Sequence, residues 1–230
     1  MISFIVPAYN EVALIGDTID ALTAAGEALA EPYEIVVADD ASEDGTGDLA
    51  RERGARVVRV SHRQIAATRN SGAKHARGDR LVFVDADTHV PVETALATRD
   101  AWREGVIAGG ARVRMETDSR LGALFIRFFS PVYFGLRLAA GCYLFTTRAA
   151  FESAGGFDER YYASEEIHLS RALRREGRFV VLKAPVVSSG RKFDLYSPSE
   201  IFGTMARLAA HLPRGGRGRS GLDLWYDGRR

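Results

Sequence analysis

Leu81-Val82-Phe83-Val84-Asp85-Ala86-Asp87 joins four consecutive apolar residues to two carboxylates. The apolar run is rich in β-branched and aromatic types and predicts a strand buried on both faces. With the backbone extended for two more residues, Asp85 and Asp87 point to one side and Ala86 to the other. Two carboxylates at the end of a buried strand must be paired, hydrated or bound to a cation, because like charges so close together are costly. A hard divalent ion that takes oxygen ligands and substrate phosphates suits them. The competing reading is a helix start, with Asp87 or Thr88 as cap and Pro91 in the first turn.

Upstream, the chain alternates strand and helix patterns. Ile2–Val6 predicts a strand followed by a turn at Pro7-Ala8-Tyr9-Asn10-Glu11, and Ile15, Ile19, Leu22 and Leu29 trace a helical stripe. Tyr33–Ala38 predicts a second strand ending in Asp39-Asp40, then a polar loop and a short helix through Leu49. Arg56–Val60 predicts a third strand, and Gln64–Arg77 a helix stopped by Gly78. Repeated βα units of this length predict an α/β fold with a mostly parallel, Rossmann-like sheet and helices on both faces. Ligands of such sheets bind at the carboxyl ends of the strands. Here those ends carry Asn10 and Glu11, Asp39 and Asp40, and Asp85 and Asp87.

Downstream, Pro91–Glu104 predicts a helix and Val106–Met115 a strand interrupted at Gly109-Gly110. Leu121–Phe145 is dense in Phe, Tyr and Leu, but Arg127, Pro131 and Arg137 argue against a membrane span. A pair of core helices and an amphipathic face touching a bilayer or a lipid-linked acceptor are both open for it. Gly141–Arg148 predicts a strand and Ala149–Ala154 a helix. Ser164 caps a further helix running to Gly177, with Glu165 and Glu166 in its first turn, where the helix dipole favours negative charge. On the helical wheel Glu166 shares the inward stripe of Leu169, Ser170 and Leu173, and Glu165 is rotated away from it by about a quarter turn. An inward carboxylate is expensive unless used or paired, which makes Glu166 the candidate general base.

The 230 residues are 46% hydrophobic and 27% charged, with net charge +1, enough for a real core and without the basic field of a nucleic-acid binder. One cysteine, Cys142, excludes an intramolecular disulfide framework and fits a reducing compartment. Met1 runs straight into the first strand, so no signal peptide is expected, and the expected location is cytoplasmic, with peripheral contact at the inner face of a membrane. One domain is expected over 1–212, made of a donor half (1–105) and an acceptor half (106–212). Residues 213–230 form a Gly/Arg-rich tail whose composition predicts disorder up to Gly221.

In order along the chain, these segments resemble the family 2 glycosyltransferases of the GT-A fold. The resemblance is carried by Val6-Pro7-Ala8-Tyr9-Asn10-Glu11, Asp39-Asp40-Ala41-Ser42-Glu43-Asp44-Gly45-Thr46, Arg69-Asn70-Ser71-Gly72 through Gly78-Asp79, Asp85-Ala86-Asp87, and Gly155-Gly156-Phe157-Asp158-Glu159 with Glu165-Glu166. It implies inverting transfer of a sugar from a UDP- or GDP-sugar to an acceptor hydroxyl, lipid-linked or on a glycan. It implies Mn²⁺ or Mg²⁺ on Asp85 and Asp87 as Lewis acid, and Glu166 as base. Pro7, Tyr9, Asn10, Glu11, Asp39, Arg69 and Asp85 become donor-binding residues, with Asp39 and Arg69 at the nucleobase. Gly156, Phe157 and Glu165 fall on the acceptor side. The family's usual Glu-Asp pair is Glu-Glu here, and no histidine follows in Val186–Lys192, so Arg191 and Lys192 are expected to meet the diphosphate instead. A nucleotide-sugar-binding protein with degraded catalysis and a sugar-phosphate nucleotidyltransferase are the alternatives.

Overall fold

The computed structural model describes residues 1–116 and 139–190. The expectations for Arg191 and Lys192, for most of Leu121–Phe145 and for the 213–230 tail lie outside the described residues. The elements are β1 (Ile2–Ala8), α1 (Val12–Leu29), β2 (Tyr33–Asp40), α2 (Thr46–Glu52), β3 (Arg56–Val60), α3 (Ile65–His75) and β4 (Arg80–Val84). They continue with β5 (Thr88–His89), α4 (Val92–Arg103), β6 (Ala108–Glu116), β7 (Tyr143–Thr147), α5 (Arg148–Ser153), α6 (Glu165–Glu176) and β8 (Phe179–Ser189).

The strands form one sheet in the order β3-β2-β1-β4-β7-β6-β8-β5. β1 to β4 are mutually parallel, as the repeated βα units require. β7 inserts antiparallel between β4 and β6, and β8 runs parallel to β6. Alternation along the strands builds two cores. Phe4, Val6, Val37, Val82 and Val84 face α1 and α4. Ile5, Val36, Leu81 and Phe83 face α3, α5 and α6. Phe83 is fully buried, with ring centroids 5.2 Å from Phe151 and 4.9 Å from Phe157, so its truncation to alanine costs about 3–5 kcal/mol.

Several boundaries differ from those expected. β1 continues through Pro7 to Ala8; Pro7 pairs with Ala38 of β2, while the ladder to β4 has already ended at Ile5–Phe83, so the missing N–H is tolerated. β2 runs to Asp40, and α3 stops at His75, where the Arg148 guanidinium donates to the carbonyls of Ala73 and Ala76. Pro91 is the N-cap of α4, because Thr88 and His89 pair with β8 instead of starting a helix. Gly109 and Gly110 do not break β6; they let β7 and β8 approach it closely. Gly141-Cys142 forms a turn ahead of β7.

Candidate active site

The carboxyl ends of β1 and β2 are joined by their loops. Asn10, with φ 51°, donates its backbone N–H to Ser42 Oγ at 3.0 Å and accepts the Glu43 N–H on Oδ1 at 2.9 Å. Glu11 N–H donates to Thr46 Oγ1 at 2.8 Å. Burial works against the charge on Asp44, but hydrogen bonds from Thr46 and the Val12 N–H hold its carboxyl below the usual range. The result is a fixed loop pair around Tyr9, whose ring carries the Arg63 guanidinium 3.6 Å from its centroid.

Neighbouring strand residues face opposite ways, and Asp39 and Asp40 divide accordingly. Asp39 Oδ1 accepts the Ser42 N–H at 3.0 Å. Asp40 holds the start of α3, accepting from His62 N–H at 2.6 Å, Gln64 N–H at 3.3 Å and Thr68 Oγ1 at 2.9 Å. Asp40 is therefore fully occupied by structure.

After Val84 the chain turns, with the Thr88 N–H donating to the Asp85 carbonyl at 3.1 Å, so Asp85-Ala86-Asp87 is not extended. The exposure pattern still alternates: Asp85 and Asp87 are half-buried and Ala86 is buried. Four neighbours fix this turn. Thr18 Oγ1 donates to the Ala86 carbonyl at 2.8 Å, Asp85 N–H donates to Cys142 O at 3.3 Å, and Ser189 N–H donates to Asp87 O at 3.1 Å. The fourth is Arg69, whose Nη2 lies 2.7 Å from Asp85 Oδ1.

Arg69 is 1% exposed and sits between the Asp85 turn and the start of α6. Nη1 contacts Glu165 Oε1 at 2.6 Å, Nη2 also donates to Gly141 O at 2.8 Å, and the guanidinium lies over the Phe157 ring. Burial opposes its charge, but Asp85 and Glu165 outweigh burial and keep it protonated. The helical wheel is corrected as well. Glu165, expected off the inward face, is 4% exposed, and Glu166 is half-buried. A wheel ranks faces by apolar residues, whereas the start of α6 packs on a buried cation. Burial and the neighbouring Glu165 push the Glu166 carboxyl up to about 8.

Asn70 was not among the expected site residues. Its Nδ2 donates to Phe157 O at 2.8 Å and to Glu159 Oε1 at 2.9 Å, and its Oδ1 accepts the Phe157 N–H at 2.9 Å. That clamp holds the Gly155-Gly156-Phe157 turn, whose two glycines have φ of 81° and 71°. The available signal was compositional: α3 buries Ala66, Ala67, Thr68, Arg69, Gly72 and Ala73, small or polar residues that imply polar partners.

Asp85, Glu165 and Glu166 thus surround one guanidinium, and Asp87 joins Asp85 beside Cys142. An excess of oxygen-donor carboxylates fits a hard cation and repels an anion that comes without one. Two of them, Asp85 and Asp87, are open enough to serve. Among the described residues no group of three His, Cys, Asp or Glu is spaced to hold a metal. Among the same residues no helix is long and apolar enough to cross a membrane.

Known proteins share this fold. The chain is 32% identical over 127 residues to an undecaprenyl-phosphate 4-deoxy-4-formamido-L-arabinose transferase of Aeromonas hydrophila, which covers 52% of this chain but only 39% of that protein. Its fold is that of S. aureus TarS 1-349 in complex with UDP-GlcNAc (TM-score 0.65, 21% identity, 91% of this chain and 65% of that one). It is also that of the mannosyltransferase PcManGT from Pyrobaculum calidifontis in complex with GDP-Man and Mn²⁺ (TM-score 0.67, 20% identity, 98% and 68%). The family model described as glycosyl transferase family 2 matches residues 3–157, which span β1 through the Phe157 turn. The chain belongs to glycosyl transferase family 2.

Proposed function

We propose that this chain transfers a sugar, with inversion, from a nucleoside diphosphate sugar to an acceptor hydroxyl. The observation that carries the reading is the double ion pair of Arg69, which sets the Asp85 turn against the start of α6 and its raised carboxyl, Glu166. Asp85 and Asp87 hold a divalent cation, which supplies Lewis acidity to the departing diphosphate when bound. Asp39 and Tyr9 line the nucleoside end of the donor. Glu166 takes the proton of the acceptor O–H as the acceptor oxygen bonds to the anomeric carbon. The nucleoside diphosphate leaves from the opposite face with the electrons of its C–O bond, and no covalent intermediate is needed.

A carboxylate whose proton affinity lies near neutral pH is a stronger base than an ordinary glutamate, and a neutral hydroxyl needs one. A phosphate acceptor is already anionic and needs none. The lipid phosphate in the name of the Aeromonas relative therefore defines a second reading, and the two separate experimentally. Nucleoside diphosphates are screened by thermal shift with and without Mn²⁺, and transfer is then followed from the donor that binds. The proposal expects cation-dependent binding, an inverted anomeric configuration in the product and loss of transfer in Glu166→Gln. Full transfer to a lipid phosphate by Glu166→Gln selects the second reading.

A further inference from the structure

The turn that precedes β7 touches both halves of the site through its backbone. The Gly141 carbonyl accepts from Arg69 Nη2, and the Cys142 carbonyl accepts from the Asp85 N–H. A Cβ built on Gly141 would lie 3.5 Å from Arg69 Nη2 and 3.8 Å from both Cδ and Cγ of Glu166, the nearest atoms among the described residues. Those are ordinary contact distances, the residue is half-exposed, and its φ is outside the left-handed region. An L side chain is therefore allowed here without backbone strain, and its Cβ would stand against the flank of the Glu166 side chain. Each further carbon advances by about 1.5 Å, so valine or leucine adds bulk beside that side chain.

We propose that Gly141 determines the specificity for the acceptor: its missing side chain is the gap through which the nucleophilic oxygen and its substituent reach Glu166. The inference rests on the reading of Glu166 as the base. In each turnover the acceptor O–H gives its proton to Glu166, its oxygen bonds to the anomeric carbon, and the nucleoside diphosphate departs. Narrowing the gap therefore acts on the size of the group attached to that oxygen and leaves the donor alone.

The test uses the full chain with Mn²⁺ and UDP-glucose or GDP-mannose, whichever gives the larger thermal shift. Water, methanol and cyclohexanol serve as acceptors of graded size, and products are measured for wild type, Gly141→Ala, Gly141→Val and Gly141→Leu. Gly141→Ala should keep all three products. In Gly141→Val and Gly141→Leu, hydrolysis and donor binding persist while the cyclohexyl glycoside falls by roughly tenfold or more relative to free sugar. Because the series is graded, Gly141→Val carries the comparison if Gly141→Leu does not fold. An unchanged cyclohexanol-to-water ratio in a folded Gly141→Val overturns the proposal, as does loss of donor binding, which would put the residue on the donor side. Glu166→Gln is run beside them: full alcohol transfer in it removes the base assignment, whatever the Gly141 series shows.

Discussion

Arg69→Met removes the one cation that two site carboxylates share, and its cost can be worked from their burial. The Arg69 and Glu165 side chains are 2% and 5% exposed, whereas Asp85 is 29% exposed. Asp85 can rehydrate, so its lost pairing costs about 1 kcal/mol or less. Glu165 cannot, and leaving a buried charge uncompensated costs about 3–5 kcal/mol. For a chain of this size that lowers the midpoint of thermal unfolding by roughly 10–15 °C at pH 8. Without Arg69 the folded-state affinity of Glu165 for a proton rises further above its unfolded value near 4.3. The penalty is therefore smallest near pH 4–5 and grows as pH rises through the folded-state value. Arg69→Met/Glu165→Gln should recover most of the loss, since exchanging a whole buried pair for neutral groups is close to neutral. Thermal and urea unfolding of wild type, Arg69→Met, Glu165→Gln and the double variant at pH 5 and pH 8 measures all of this. A variant within about 1 kcal/mol of wild type at pH 8, with no widening between the two pH values, refutes the argument.

Five further outcomes follow from the same geometry. Glu166→Gln should lower kcat by roughly 10²–10⁴-fold while nucleoside diphosphate still raises the melting temperature, and a parallel loss of donor binding would remove Glu166 from the base role. Because burial lifts Glu166 to about 8, kcat/KM should climb with pH and level off above about 8. The same shift stabilises the fold below the unfolded value near 4.3 and is lost as pH rises through 8, so Glu166→Gln should melt higher than wild type at pH 9 but not at pH 4. Asp87→Ala should fold normally, give no Mn²⁺-dependent shift with nucleoside diphosphate and lose transfer; normal transfer would end the metal assignment. Gly109→Ala should destabilise by roughly 1–3 kcal/mol in urea unfolding, because its Cβ would fall on the Val180 carbonyl and within 2.6 Å of the Phe145 ring.

The frame of β1 to β4 was legible because its signal is periodic. Strands buried on both faces read as apolar runs, and helices between them force parallel neighbours, so the polar strand ends at Glu11, Asp39 and Asp85 fall on one edge. The part of the site built from residues 141–176 was legible only as residue types. Whether Glu165 or Glu166 turns inward depends on Arg69, almost a hundred positions away, and a local wheel contains nothing about a buried guanidinium. Asp85-Ala86-Asp87 had the right exposure for the wrong reason, since a turn and an extended strand both leave the middle residue covered. Asn70 escaped notice because its partners are main-chain groups of the Phe157 turn, which leave no trace in side-chain patterns.

Three consecutive residues of α3 have a bearing on how such enzymes can be recombined. Thr68 ties to Asp40, Arg69 to Asp85 and Glu165, and Asn70 to the Phe157 main chain. A hybrid that takes residues 106–190 from another family member must match this turn of helix as well as the β4–β7 ladder and the Arg148 contacts at the end of α3. An incoming segment that offers a carboxylate at 165 and a free main-chain pair at 157 finds its sockets already in place. One that lacks the carboxylate leaves Arg69 buried with half its charge unanswered. Exchange of residues 106–190 is thus constrained by a buried cation on α3 as well as by strand pairing.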